Sequence, residues 1–406
     1  MSDTSEFGLI LLAIAGAFLL AIGSSRLSAV LRVPAPALFL IGAAIAASLV
    51  PSIGNISNSA VERLVTTALI VILFDGGMHI GWRRFRSQAG AVVWLGVAGT
   101  VLTAGGMAIL AREIFDLSWT ESLLLGTALA PTDPAVVFSV LGGQEIVGRT
   151  GTLLEGESGA NDPVGIAMMV ALLGVHASGG GAAVWHGLLE FGVQMVVGVA
   201  IGIAGGLGLR VFMARVRLPS EGLYALRALA GAYAIYGLAT VAHGSGFLAV
   251  LIAGIIVGDA DVPFRREIRR FHASLASIAE IVAFVVLGLT VELRSLLRED
   301  AWWIGLVLAV LLAFVVRPLL GGVVLWPIAL TRGERVFVLW SGLKGAVPIL
   351  LGVFIVAAGT AHERQIYAII FVVVLFSVIV QGGLVPWVAR RCGVLVTPPG
   401  EDDDDT

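Results

Sequence analysis

Apolar runs of about 18 residues or more recur along the whole chain, and a run of that length crosses the hydrocarbon core of a bilayer as a helix. Inside a bilayer every backbone polar group must be satisfied by the protein itself, which leaves only helices and closed barrels. Composition agrees with helices buried in lipid. Of 406 residues, 58% are hydrophobic and 13% charged, against roughly 25% charged in soluble domains. The chain reads as an all-α polytopic membrane protein.

Thirteen candidate spans can be placed near 6–24, 30–50, 61–80, 89–111, 119–141, 150–175, 184–213, 220–241, 245–260, 270–292, 300–330, 335–358 and 364–389. The gaps between them are too short for a soluble domain. The acidic start "MSDTSEF" carries no basic segment, so the first span is expected to stay uncleaved. The end "TPPGEDDDDT" is broken by Pro and Gly and is acidic, which predicts a transmembrane domain over 1–391 and a disordered cytoplasmic tail over 392–406. Cys392 is the one cysteine, so no disulfide forms within the chain. With the N-terminus outside, 17 arginines fall in cytoplasmic loops and 5 in outer ones. That asymmetry predicts N-terminus out and C-terminus in.

Seven charges fall within spans: Asp75, Asp133, Glu157, Asp162, Glu280, Arg317 and Lys344. Facing lipid they would cost on the order of 20 kcal/mol together, at about 2.5–3.5 kcal/mol each. They must therefore face one another, a cavity or a substrate. In "GESGANDPVGIAMM" the pairs Glu157/Asn161 and Ser158/Asp162 are four apart and share one helix face. In "LAPTDPAVVF", Pro131 and Pro134 flank Thr132 and Asp133, and a helix breaks there, baring the carbonyls of Thr127 and Ala130. The twelfth span repeats the device in "SGLKGAVPILLG" around Lys344. Two interrupted helices at matching places in two halves point to a transporter's binding site. The halves are two inverted six-helix repeats, about 6–175 and 220–389, joined by a linking helix at about 184–213. Asp133 is expected to offset the positive half-helix ends and Lys344 the negative ones.

The chemistry of such a core is competitive. Burial disfavours a charged carboxylate, whereas a bound cation favours it, so proton and cation compete for Asp162. One working carboxylate implies one proton per cation and no net charge movement. Hard oxygen ligands without a His/Cys cluster suit Na⁺, K⁺ or Li⁺. No enzyme activity, no cofactor and no nucleic-acid partner are expected. An intramembrane aspartyl protease could use Asp133 and Asp162 as its dyad, but its GxGD element is missing. A sodium-coupled organic-anion symporter could share the broken-helix architecture and stays as the alternative.

"APTDPAVVFSVLGG" followed by "EGESGANDPVGIAMM" resembles the core of the monovalent cation:proton antiporter-1 family, the bacterial and organellar sodium/proton and potassium/proton exchangers. "FDGGM", "VRP" and "GLKGAVPI" stand in the family's order, and the likeness covers nearly all of 6–391. Around the Asn161–Asp162 pair it is strongest to the potassium/proton branch. The resemblance implies a 13-helix fold in which broken helices 5 and 12 cross at the membrane midplane. It implies a mobile core domain, a dimerisation domain, a homodimer in the bacterial inner membrane, alternating access and a role in pH homeostasis. Carried over by motif, Asp162 takes the monovalent cation or the proton, with Asn161, Ser158, Thr132 and Asp133 around the ion. Glu157 pairs with Arg317, and Asp75 lies toward the cytoplasmic funnel. The family usually has arginine where this chain has Lys344, its one lysine among 25 basic residues, and lysine can lose its proton when buried.

Four further expectations complete the reading. The six histidines lie near span ends, and most of them should be interfacial. Arg227 should snorkel to a headgroup, and Glu280 should find a polar partner within the core. "GIAGGLGLR" should be a close-packed helix surface.

Overall fold

The computed structural model describes residues 34–397 apart from 142–144, 147, 179–180, 294–295, 297–299 and 395, together with Gly8, Gly16 and Gly23. The first expected span, 6–24, lies outside the described residues but for those glycines, as does 398–406 of the tail. In chain order the helices are α1 (Ala35–Leu49), α2 (Asn58–Trp94), α3 (Thr100–Phe115), α4 (Trp119–Leu129), α5 (Pro134–Val140), α6 (Arg149–Ser178), α7 (Gly181–Arg215) and α8 (Glu221–Val241). They continue as α9 (Gly246–Gly258), α10 (Arg265–Leu289), α11 (Ala301–Leu311), α12 (Arg332–Trp340), α13 (Ala346–Ala357), α14 (Glu363–Phe376) and α15 (Gly382–Cys392). The two-residue strands β1 (Glu145–Ile146) and β2 (Val396–Thr397) pair antiparallel.

Among the described residues, six helical stretches are long and apolar enough to cross a membrane, or seven if the bent pair α4–α5 is one span. The 13-residue α9 is too short to cross alone, at about 20 Å. It is buried on nearly every side and packs on α2, α7 and α8. A helix apolar all round and enclosed by protein has no need to match the bilayer. Gly202 and Gly206 of α7 abut the backbone of Ala249 and Ala253 on α9, so the glycine-rich stretch is a close-packed surface.

Asn58–Phe115 runs as 58 helical residues, including a π segment at Leu95–Gly99. A straight helix of that length would reach roughly 87 Å, nearly three hydrocarbon thicknesses. Gly81 divides it, with φ 65° and ψ 161°, at the gap expected between the third and fourth spans. Only glycine adopts that region without strain. The break frees the Arg83 N–H, and Asp259 at the end of α9 accepts it at 2.7 Å. Two more π segments interrupt the bundle, Leu312–Gly321 after α11 and Ser377–Gln381 between α14 and α15.

A Cβ at Gly81 would meet the Asp259 carboxylate at 2.8 Å. Gly81→Ala should therefore destabilise the protein by about 1–3 kcal/mol, read as a lower melting temperature in detergent. Gly90→Ala on the same helix meets nothing within 4 Å and should leave melting unchanged or slightly raised.

Candidate functional site

Pro131 and Pro134 separate α4 from α5, which meet at 45°. Between them the backbone is extended, with Asp133 at φ −125° and ψ 112°. Residues 341–345 separate α12 from α13 in the same way. The two breaks lie against each other, and the Asp133 N–H donates to the Leu343 carbonyl at 2.8 Å. A Cβ at Gly345 would run into the Asp133 carboxylate, so this approach requires glycine.

The helix ends at this crossing are matched by side-chain charge. Lys344, 1% exposed, reaches the C-terminal end of α4 and donates from Nζ to the carbonyls of Ala130 and Pro131, each at 2.9 Å. Asp133 caps α5 by accepting the Ala135 N–H at 2.9 Å. The backbone N–H groups of Val136 and of Ala346, at the start of α13, also act on its carboxylate. An acid thus sits at two helix N-termini and a base at a C-terminus, which is the favourable sign for both.

These bonds correct one expectation. The carbonyls of Thr127 and Ala130 are not bare, because the Ala130 N–H takes Thr127 at 3.3 Å and Lys344 takes Ala130. The last turn of α4 tightens, and the ammonium covers what remains.

Lys344 is itself held from behind. Its N–H donates to Ser377 Oγ at 3.0 Å, and Ser377 donates to Gln381 Oε1 at 3.2 Å. Gln381 Nε2 donates to the Trp340 carbonyl at 2.7 Å, and Trp340 Nε1 returns to the Gln381 carbonyl at 3.1 Å. Reading the sequence missed Ser377 and Gln381. Their signal was a polar pair four apart in the otherwise apolar "FSVIVQ".

α6 closes the site. Ser158 Oγ donates to the Thr132 carbonyl, Asn161 Nδ2 donates to Thr132 Oγ1 at 2.7 Å, and the Thr132 N–H donates to Asn161 Oδ1 at 3.2 Å. All three residues are buried. Every polar group of Thr132 is engaged, yet each oxygen keeps a second lone pair for another partner. Asp162 follows on the same helix face as Ser158, half-buried, in a helix that runs on through Pro163. Among the described residues it makes no hydrogen bond or ion pair, while Asp133 and Lys344 act on it electrostatically. Glu157 turns away to Arg317, with Oε1 and Nη1 2.6 Å apart and both side chains under 10% exposed. Arg317 lies in the π segment after α11, and its guanidinium abuts Gly342 of the second break.

Asp75 is not bonded to this cluster. On α2, its Oδ2 lies 3.5 Å from Nδ1 of His79. Glu280, expected to find a polar partner, makes no hydrogen bond or ion pair among the described residues. His272 is an exception to the interfacial expectation, being fully buried between the rings of Phe74 and Phe271. Arg227 does not snorkel. It is 7% exposed, caps the carbonyls of Phe212, Met213 and Val216 at the end of α7, and stacks on Tyr224. Phe212 still accepts the Val216 N–H at 3.0 Å, but the carbonyls of Met213 and Val216 lie past the last helical donor, so a nearby guanidinium finds them before it finds water.

Removing one partner of a buried ion pair strands the other charge. Glu157→Leu should cost about 3–5 kcal/mol, and adding Arg317→Met should recover part of it, both read by melting in detergent. A double variant no more stable than the single one would deny the pair that role.

Comparison with known proteins adds an independent line. The family model "Sodium/hydrogen exchanger, transmembrane" matches residues 11–391. The K(+)/H(+) antiporter NhaP of Alkalimonas amylolytica is 36% identical over 387 residues, covering 94% of this chain and 66% of that protein. The K(+)/H(+) antiporter NhaP2 of Shewanella sp. strain ANA-3 is 34% identical over 333 residues, covering 82% of this chain and 58% of the relative. The chain thus spans about three-fifths to two-thirds of the length of these curated relatives. The sodium proton antiporter MjNhaP1 from Methanocaldococcus jannaschii shares the fold, with a TM-score of 0.79 at 22% identity over 95% of this chain and 99% of that one.

Proposed function

Because the chain belongs to the transmembrane sodium/hydrogen exchanger family, we propose that it exchanges a monovalent cation for a proton across a bacterial inner membrane, with both competing for Asp162. The observation that carries this reading is the contrast between Asp162 and its surroundings. Thr132, Ser158 and Asn161 are tied to one another, Asp133 and Lys344 are spent on helix ends, and within this cluster Asp162 keeps its carboxylate unbonded among the described residues.

A fixed oxygen cage beside one unbonded carboxylate suits a small cargo of single positive charge. The cation would take an Asp162 oxygen together with the spare lone pairs of Thr132 and Ser158, and with Asn161 and Asp133 nearby. Losing it leaves a buried negative charge, which a proton then neutralises. If the carrier crosses only when neutralised, exchange is obligatory and 1:1, and it carries no net charge. The identity to relatives named for K⁺ puts K⁺ first as cargo, with Na⁺ and Li⁺ as competitors.

The remaining architecture follows the same reading. The thirteen spans form inverted repeats of about 6–175 and 220–389 around a linking helix, with the breaks crossing at the midplane, the N-terminus outside and the C-terminus in the cytoplasm. The broken helices belong to a core that moves against a scaffold in a homodimer, with Asp75 on the scaffold toward the cytoplasmic side. Glu157 and Arg317 hold the core together as it moves. Transport needs no cofactor and no enzymatic step.

Proteoliposomes loaded with a pH dye test this directly. Adding KCl, NaCl or LiCl, but not choline chloride, should move protons, and Asp162→Asn should abolish the movement while melting as the wild type does. Lowering the pH should raise the half-saturating cation concentration more than it lowers the maximal rate. A current that scales with voltage under symmetric pH would overturn electroneutrality. Folded protein that answers no monovalent cation would redirect the search to a symporter and organic anions.

A further inference from the structure

We propose that Glu280 is a working carboxylate of the ion pathway, set on α10 between the crossing and the membrane face at which α10 ends. This rests on the exchange reading above and extends it to a residue outside the cluster.

Depth comes first. α10 covers Arg265–Leu289, so Glu280 lies nine residues, or about 14 Å, from its end. A carboxylate there would cost roughly 2.5–3.5 kcal/mol against lipid. Nothing nearby explains its retention by packing or pairing. It is half-buried, without a bonded partner among the described residues, and its neighbours on the helix surface, Ala276, Ala283 and Phe284, have no polar side-chain atoms to offer. Ser277, one turn back, spends its hydroxyl on the Ala273 carbonyl at 3.0 Å.

Direction comes next. The charge of Asp133 acts on Glu280, and α10 packs against α13, the half-helix that starts at the crossing. Glu280 is therefore on a helix that borders the exchange cluster, within electrostatic reach of Asp133.

Access is the third observation. A cavity of about 210 Å³ opens at the end of α10, lined by Asn58, Thr290, Glu292, Val353, Arg364 and Tyr367. Thr290 caps α10 ten residues, or about 15 Å, beyond Glu280, and Val353 and Val356 belong to α13. The cavity thus opens at the ends of α10, which carries Glu280, and of α13, the half-helix that starts at the crossing.

Asp75 marks the opposite side. Its neighbour Phe74 stacks on His272, with ring centroids 5.4 Å apart, and His272 lies eight residues, or about 12 Å, from Glu280 along α10. The helix pair α2–α10 thus carries two acids at two depths, Asp75 toward one face and Glu280 toward the other. A carboxylate in a narrow low-dielectric passage concentrates cations there and speeds their arrival. Glu280 does so for ions arriving through the cavity, and gives them an anionic stop before Asp162.

Two experiments test the assignment. The first needs no transport. In a Cys392→Ser background, which leaves no other thiol, Glu280→Cys should react with a membrane-impermeant methanethiosulfonate ammonium reagent applied at the face where α10 ends. Absence of labelling from that face would overturn the pathway placement. The second measures exchange in oriented proteoliposomes. Glu280→Gln should raise the half-saturating K⁺ concentration about tenfold at that face, leave the opposite face within about twofold, and be rescued by Glu280→Asp. Unchanged half-saturation at that face, or an equal loss at both, would overturn the role. Wild-type protein that exchanges no cation would refute the exchange reading instead, and the labelling would still decide whether position 280 is reached from that face.

Discussion

Two helices interrupted inside a membrane create four ends, and each end concentrates about half an elementary charge where water cannot screen it. The rest of this structure depends on how those ends are neutralised. Asp133 sits at two N-termini, and Lys344 covers the C-terminal carbonyls of α4. Gly345 lets the two breaks approach until the Asp133 N–H reaches Leu343. Each break is tolerable because it faces the other and each brings the charge its partner lacks.

The surrounding helices serve that crossing. α6 threads beside it and fixes Thr132 through Ser158 and Asn161. Arg317, in a π segment, holds Glu157 of α6 while bearing on Gly342. Ser377 and Gln381, in another, hold the backbone of Lys344 and Trp340. A π turn shifts which side chains a helix presents and recurs at functional sites. Here two of the three π segments aim polar groups at the crossing. With its neighbours tied down, Asp162 makes no hydrogen bond or ion pair among the described residues.

Much of the site was legible in the sequence because membranes make charge expensive. The cost of Asp133, Asp162, Glu157, Arg317 and Lys344 in apolar runs marked them before any fold was known, and prolines on either side of Asp133 marked the break. What escaped was whatever looked ordinary locally. Ser377 and Gln381 are uncharged and cheap to insert. Arg227 looked able to reach a headgroup, but the carbonyls of Met213 and Val216 at the end of α7 were nearer. His272 looked interfacial, yet Phe74 and Phe271 enclose it, and no linear pattern announces that.

The sequence by itself determined that this chain is helical and membrane-spanning, where its helices break, and which side chains cannot face lipid. Those follow from hydrophobicity, proline geometry and the cost of ionised groups, all properties of short segments. Only the tertiary structure decided that Lys344 is held from behind by Ser377, that Arg227 serves the end of α7, and that among the described residues Asp162 and Glu280 make no hydrogen bond or ion pair while Asp75 lies beside His79. Partner choice is a matter of distance between segments far apart in the chain, and helix packing fixes it.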